Sequence, residues 1–453
     1  MTAATVSNPL QKVTAEMTSE LPAVFVMNVY YSGLGIARSL HGRGVDVFGL
    51  SSEPDAPGMS SGFFKGIYEV PNGRDEPDAL YRRLLELRTQ HTEAPVIFPT
   101  RDFDVLFLHQ YGQQLRPFYR LPDDQGFSCL MDKLELAAVA RNLDIAVPPT
   151  IACNSAEELQ AKIGKIKFPV VVKPRFAYLW RRKGTWEAVG ARKAFLVHSA
   201  AELQSEYERL RSLCPEILIQ EYVAGSDSDV VVCCCYVSRK EGLLGYFTAK
   251  KLRQNPPLFG TGCAIEASDI PQIVPLARRL IESCGYYGLA EVEFKHDKSS
   301  NTFYLIEVNP RHWDQHELGT RLGVNLSWLA YQDRIGRSAA AQYPKYKNGP
   351  GYKWIAETEA LMLILRNGYM QLSASRKSGA STNKLLGRHR ALVRSILTET
   401  YFLLKGQKMF AIFNRRDPLP GVLLALRTAR DLFKMVGRYI SSDRTARYAA
   451  VNR

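Results

Sequence analysis

The sequence predicts an α/β protein: a doubly wound α/β domain, then a two-lobed α+β core, then a basic helical module. Three observations carry this. Apolar runs of strand length alternate with glycine turns and helical patterns through the first third of the chain. Further on, Ala290-Glu-Val-Glu-Phe-Lys295 and Asn301 to Arg311 read as two strands facing each other across a polar turn, His296 to Asn301. Positive charge gathers at the C-terminal end. Residues 345–453 hold 21 Lys+Arg and 6 Asp+Glu, which leaves 38 of the 59 basic and 39 of the 45 acidic residues to the rest of the chain.

A length of 453 residues fits two or three domains. The expected boundaries are a disordered N-terminus over 1–20, the α/β domain over 21–128, the core over 129–340 and the basic helical module over 341–453. The eight cysteines form no C-x-x-C pair and no metal-ligand spacing. Cys233, Cys234 and Cys235 are consecutive in an apolar strand-like run, so they point to alternate faces and read as small buried hydrophobes. Reduced cysteines point to the cytoplasm. The first 20 residues are polar, include Glu16 and Glu20, and do not resemble a signal peptide. No apolar run reaches membrane-spanning length.

In the α/β domain, Ala23 to Met27 is a strand of the fully buried type. Gly33 and Gly35 precede a helical pattern, Val45 to Leu50 is the next strand, and Glu53 lies just beyond its end. Strand, glycine turn, helix, strand and acid outline a dinucleotide-binding unit. The run G-L-G-I-A-R lacks the third glycine, so a plain doubly wound domain is preferred over NAD or FAD binding. Pro95 to Pro99 is another strand, and ligands of such sheets collect at the strands' carboxyl ends. Thr100 and Asp102 are therefore candidates for the rim of a substrate site.

The middle of the chain carries nucleotide chemistry. Asp132 reads as an N-cap. Lys133 follows in the first helical turn, where a cation gains nothing from the dipole, so a phosphate-facing role competes evenly with a solvated lysine. Lys173 ends the apolar strand Phe168 to Pro174, a costly place for an ammonium that meets no anion. The loop Arg175 to Gly190 is basic and aromatic and suits a cover over phosphates. Glu216 to Asp227 is a strand followed by a polar pair and a glycine turn. Its backbone, around Gln220, Glu221, Tyr222 and Val223, suits an adenine edge, and Asp227 suits ribose hydroxyls. Strand alternation in Tyr246 to Gln254 puts Lys251 and Arg253 on one face. In the hairpin, Glu307 and Asn309 are i and i+2, Glu293 faces them, and Arg311 continues the line. Such hard oxygen donors suit Mg²⁺ or Mn²⁺ bound to phosphates, and the arginine suits phosphate or carboxylate.

Over roughly Met131 to Arg337 these segments, in this order, resemble the ATP-grasp superfamily, and the preceding α/β domain resembles its pre-ATP-grasp domain. The nearer likeness is to carboxylate–amine ligases of the D-aspartate ligase type and to carbamoyl-phosphate-synthase-like proteins. It rests on Gly33-x-Gly35-x-x-Arg38-Ser39-Leu40, Phe98-Pro-Thr-x-Asp102 and Lys251-Leu-Arg-Gln-x-Pro-Pro. The resemblance implies that Lys133 and Lys173 bind ATP phosphates. It implies that Gln220, Glu221, Tyr222 and Val223 line the adenine hinge and Asp227 the ribose. Glu293, Glu307 and Asn309 would hold the metal, and Arg311 would steady the transferred phosphoryl group, with Lys251 and Arg253 as further catalytic cations. His312 and His316 flank the site and read as substrate-loop residues or, equally, as surface histidines, and Glu317 is a candidate to help bind an amine. The implied activity is an ATP- and Mg²⁺-dependent ligase joining a carboxylate to an amine through an acyl phosphate, on a cell-envelope or lipid-linked precursor. The alternatives are carbamoyl-phosphate-synthase-like acyl-phosphate formation with another acceptor, and a non-catalytic nucleotide-binding scaffold. Two features depart from the family: the Arg-, Lys- and Trp-rich loop after Lys173, and the extended C-terminal module, which the resemblance leaves outside the grasp core.

That module reads as helices over Leu361 to Tyr369, Leu385 to Leu404 and Pro420 to Ile440. The last sets Leu423, Leu426 and Phe433 in a stripe flanked by Arg427, Arg430 and Lys434, as in an interfacial helix on anionic lipid. A basic subdomain packed on the core is the even alternative. Peripheral contact with the inner face of a membrane is thus one expectation. Nucleic acid is not expected, since no aromatic-interleaved motif accompanies the charge.

Overall fold

The computed structural model describes residues 21–346, 351–366 and 393–431, apart from 183, 215 and 395. The N-terminal segment 1–20 expected to be disordered, and the expected helical stretches 367–369, 385–392 and 432–440, lie outside the described residues.

The first domain is a parallel four-stranded sheet in the order β3-β2-β1-β4, from β1 (Val24–Met27), β2 (Val47–Ser51), β3 (Gly66–Glu69) and β4 (Val96–Phe98). Its first strand is buried on both faces, as a continuous apolar run in a parallel sheet should be. Val24 and Val26 enter one core, while Phe25 and Met27 enter another. The helix Tyr31–Leu40 follows β1 and is buried along its whole length. A Cβ on Gly33 would stand 2.1 Å from Asn28 O, and one on Gly35 would stand 2.8 Å from His316 Nε2. Both glycines therefore serve close packing of this helix, which gives them a reason other than a dinucleotide.

The core has two lobes. The smaller is an antiparallel sheet in the order β5-β8-β6-β7, built from β5 (Thr150–Cys153), β6 (Val170–Pro174), β7 (Phe195–Val197) and β8 (Ile217–Glu221). The larger has seven strands in the order β13-β12-β9-β10-β11-β14-β15. They are β9 (Val230–Ser238), β10 (Gly242–Asn255), β11 (Thr261–Ala267), β12 (Gly288–Asp297), β13 (Thr302–Asn309), β14 (Lys353–Ile355) and β15 (Lys408–Phe410). Alternation along β9 sends Val232, Cys234 and Tyr236 to one core and Val231, Cys233 and Cys235 to the other. The three cysteines are thus the buried small hydrophobes expected, and all eight are free.

Two expectations about organisation change. One face of the α/β domain has its own core, around Phe25, Phe48 and Leu84, but the other shares its core with the large sheet. Leu34, Ile36 and Leu40 share one cluster with Phe247, Leu318, Tyr331 and Trp354. The C-terminal segment is also not purely helical or external. β14 pairs with β11 antiparallel and with β15 in parallel, so both extend the sheet that carries Glu293 and Glu307. Buried Arg38 ties the three parts together: it meets Glu317 at 3.3 Å and donates to Ala411 O at 2.8 Å. Residues 357–366, 396–404 and 419–431 are helical, and no helix of the described residues is long and apolar enough to cross a membrane.

Candidate active site

A cleft of about 140 Å³ lies between the small sheet and the large one. Alternation on β6 builds one wall. Val170 and Val172 point into the small lobe's core, so Val171 and Lys173 point into the cleft. Lys173 donates from Nζ to Gln220 Oε1 at 2.8 Å, and Gln220 Nε2 donates to Thr150 Oγ1 at 2.8 Å. Burial, reinforced by the neighbouring Lys133 ammonium, pushes Lys173 down to about 7. Lys133 Nζ donates to the carbonyls of Pro174 and Arg175, both at 3.3 Å. Asp132 caps its helix and takes Arg175 Nε at 2.9 Å, anchoring the start of the basic loop. Lys193 lines the same cleft and is pushed down to about 8 by burial and by Arg181.

The hinge forms where β8 ends. Glu221 N–H donates to Pro149 O at 2.9 Å and Tyr222 N–H to Pro169 O at 3.2 Å. Glu221, Tyr222 and Val223 line the cleft together with Ile306. Asp227 lines it too, but its carboxylate already holds the β10–β11 loop. It accepts from Gln254 N–H at 2.9 Å, Gln254 Nε2 at 3.0 Å and Leu258 N–H at 3.3 Å.

On the floor, β12 and β13 are in the register the hairpin suggested. Glu293 stands opposite Glu307, and Glu291 opposite Asn309. Two carboxylates directly across an antiparallel pair repel each other. Lysines offset this: Lys251 Nζ forms an ion pair with Glu293. Burial alone would raise the Glu307 carboxyl, but Lys133, Lys193, Lys251 and Lys173 outweigh it and hold the group below its usual range. Glu291 takes Asn309 Nδ2 at 3.0 Å and is also bonded by Gln315 Nε2; burial pushes it up to about 7.

The cleft opens into a cavity of about 740 Å³ between the large sheet and the α/β domain, and Lys193, Lys251, Glu293 and Glu307 line both spaces. Arg311 lines the larger cavity. Its Nε donates to Asp102 Oδ1 at 2.6 Å and an Nη to Asn309 Oδ1 at 3.1 Å. Asp102 also receives Arg181 at 3.1 Å. The Asp102 carboxylate would be raised by burial, yet the two guanidiniums hold it well below the usual range. It anchors arginines from two elements rather than standing free for a substrate. Thr100 lies on the same rim, with its hydroxyl donating to Met27 O at 2.5 Å.

Four residues expected at the site lie elsewhere. Arg253 does not share a face with Lys251, because β10 bulges between them: Lys251 pairs with Ile265 and Arg253 with Ala264. Its guanidinium instead grips Glu399 at 2.5 and 2.9 Å. Replacing Arg253 by Met should leave turnover within about twofold and lower stability by about 1 kcal/mol, the worth of a half-exposed ion pair; steady-state kinetics beside a thermal melt checks both. His312 is 1 % exposed, stacks edge-on against Phe98 at 4.8 Å and meets Ser327 Oγ at 3.1 Å. Glu317 is buried against Arg38. His316 likewise faces inward, donating to Ser32 O at 3.0 Å. These side chains lock the α/β domain to the core and line neither space.

The comparisons with known proteins agree with this architecture. The sequence profile for the carbamoyl-phosphate synthase L chain, ATP binding domain, matches residues 262–334, the stretch that carries β12, β13 and the floor carboxylates. The chain is similar to a D-aspartate ligase of Enterococcus faecium, 22 % identical over 68 % of this chain and 75 % of that protein. It is also similar to a D-alanine–D-alanine ligase of Stutzerimonas stutzeri, 24 % identical over 61 % of this chain and 78 % of that one. In fold it matches a biotin carboxylase–β,γ-ATP complex from Campylobacter jejuni with a TM-score of 0.57, at 16 % identity, over 71 % of this chain and 72 % of that one. The fold is that of ATP-grasp proteins, and residues 262–334 match an ATP-binding domain of that type.

For this fold, the departures noted in the sequence now have places. The Arg- and Trp-rich loop brings Arg181, Trp186 and Lys193 to the boundary of cleft and cavity. Of these residues, Lys193 and Arg181 were not singled out as ligands from sequence, and neither was Glu291. Strand alternation held the signal for Glu291, which is two residues from Glu293 on the same face. Among the described residues no group of three or more His, Cys, Asp or Glu is set to hold a metal ion. The donors expected from sequence, Glu293, Glu307 and the Asn309 amide, stand on facing strands here. A divalent ion that keeps waters and phosphate oxygens needs no more protein ligands than that, and two carboxylates set opposite each other fit such a cation.

Proposed function

We propose that this protein is an ATP- and Mg²⁺-dependent ligase that joins a carboxylate to an amine through an acyl phosphate. The observation that carries the reading is the shared wall: a lysine-lined cleft with a backbone hinge opens, across Glu293 and Glu307, into a second cavity of about 740 Å³ that Arg311 lines. In this reading the adenine lies against Tyr222, Val223 and Ile306, and the phosphates run along Lys133, Lys173 and Lys193. Mg²⁺, held by Glu293, Glu307 and Asn309, supplies charge neutralisation. Arg311, oriented by Asp102, holds the substrate carboxylate in line with the terminal phosphoryl group. Lys251 neutralises Glu293 and faces the charge that builds up on transfer. The substrate carboxylate takes the phosphoryl group and ADP leaves; the amine then attacks the acyl carbon and phosphate leaves. The residues position and neutralise throughout, and no protein nucleophile is required.

The test is a screen of carboxylates against amines for Mg²⁺-dependent ADP release. Release that needs both partners supports the reading; release with neither, or none with any pair, overturns it. A pH dependence follows from the two depressed lysines. Phosphate binds their protonated forms, whose free-enzyme values are about 7 for Lys173 and about 8 for Lys193. ATP binding should therefore take up protons near pH 8, and affinity should fall as pH rises from 7 to 9. Calorimetry in buffers of different ionisation heat checks the sign.

The C-terminal surface supports a second, compatible reading: peripheral contact with anionic membrane. Val393, Leu397 and Tyr401 form one exposed apolar stripe, and Leu419, Val422 and Leu426 another, beside exposed Arg415, Arg416 and Arg430. Of the expected stripe and its flanking cations, Phe433 and Lys434 lie outside the described residues. Flotation with phosphatidylglycerol vesicles should fall when Arg415, Arg416 and Arg430 are replaced by Glu. Equal flotation, or equal binding to phosphatidylcholine vesicles, would retire the idea.

A further inference from the structure

The larger cavity has two unlike walls. On one, Arg181 and Arg311 pair with Asp102, and Arg74 and Lys193 also line the cavity. The other combines aromatic rings with carboxylates: Tyr30, Tyr31, Asp314, Trp354 and Glu359. Tyr30 and Tyr31 meet edge-on at 4.6 Å, and Tyr31 meets Trp354 at 5.9 Å. The Tyr31 hydroxyl donates to Glu359, and Ser32 Oγ donates to Asp314 Oδ1 at 2.8 Å. Burial and then the charges of Glu359, Glu53 and Asp314 raise the Tyr30 phenol, so three carboxylates surround this ring. Glu53 has a cation, Arg101 at 2.7 Å. The hydrogen bonds of Asp314 and Glu359 come from hydroxyls, and neither has an ion-pair partner among the described residues. Half-buried carboxylates without a cation are costly, and aromatic faces beside them favour one. Trp354 and Glu359 come from the C-terminal segment, which the sheet extension through β14 brings to this cavity.

Resting on the ligase reading, we propose that this wall is the amine-acceptor subsite and takes an amine with a second cationic nitrogen, a diamine or dibasic amine. The second ammonium sits between Glu359 and Asp314 against Tyr30, Tyr31 and Trp354. The reason for a second nitrogen is chemical. The attacking amine must be neutral, so carboxylates can recognise charge only on another nitrogen of the same molecule. That neutral amine forms the C–N bond at the acyl carbon; the acyl C–O bond breaks and phosphate leaves, carrying the proton the amine gives up.

Calorimetric titration of the full chain without nucleotide compares 1,5-diaminopentane, n-pentylamine and 1,5-pentanediol. The diamine should bind at least about tenfold more tightly than either analogue, and Glu359→Gln and Asp314→Asn should each remove most of that preference. Circular dichroism shows which variants fold, and either folded variant suffices. Equal affinity for diamine and monoamine, no diamine binding, or a preference unchanged in the folded variants overturns the proposal. Because no nucleotide is present, these outcomes are independent of the ADP-release screen. ADP release with monoamines alone would overturn the subsite while leaving the ligase reading intact.

Discussion

Glu307→Gln should lower Mg²⁺-dependent ADP release by about 10³-fold or more, the scale of losing a charged group that stabilises a transition state. Glu307 faces four lysines, Lys133, Lys193, Lys251 and Lys173, all of which favour its ionised form. The amide keeps the shape and removes the charge. The variant relieves the repulsion with Glu293 across the β12–β13 pair but leaves the four lysines short of an anion, so its melting temperature should hold or fall only slightly. Activity and stability should therefore move apart, which separates a site residue from a structural one. Steady-state kinetics and a melt on the same preparation decide it. Near-normal turnover would remove the metal assignment; a large drop in melting temperature would recast Glu307 as structural.

Asp102→Ala should have the second-largest effect, and of the opposite kind: activity and stability fall together. The carboxylate is buried and holds Arg311 at 2.6 Å and Arg181 at 3.1 Å. Removing it leaves two guanidiniums close together without an anion, one of them largely buried. Breaking a buried pair in this way costs about 3–5 kcal/mol. Arg311 also loses the partner that aims it at the cavity, so kcat should drop by about 10²-fold through misplacement alone. Denaturation and kinetics check the two effects. Asp102→Asn, which keeps one acceptor oxygen, should recover part of both. A variant with normal stability would show that the arginines are held by other contacts.

Much of the site was legible because its signal is local. Glu293, Glu307 and Asn309 sit on two strands joined by a short turn, and alternation with hairpin register is enough to bring them together. Lys173 at the end of an apolar strand was legible for the same reason: its neighbours Val170 and Val172 are committed to a core. Arg253 was misjudged because a bulge shifts the register of β10, and a bulge leaves no mark in an alternating pattern. Asp102 was placed near the site but given the wrong kind of work. Its partners lie 79 and 209 residues away, so only the folded chain shows that it anchors arginines. His312 and Glu317 follow the floor strand closely in sequence, yet the chain turns them inward against Ser327 and Arg38.

By itself, the sequence determined the α/β class, the buried parallel strands, the floor hairpin and the strand lysine that enters the cleft. Each depends on the period of a strand or helix and on which residues tolerate burial, properties of a few neighbouring positions. Tertiary structure alone decided that the α/β domain shares a core with the large sheet, that β14 and β15 extend that sheet, and that Trp354 and Glu359 reach the second cavity. Those are long-range pairings. A three-residue strand gains its energy from the edge it joins, and nothing in its own residues names that edge.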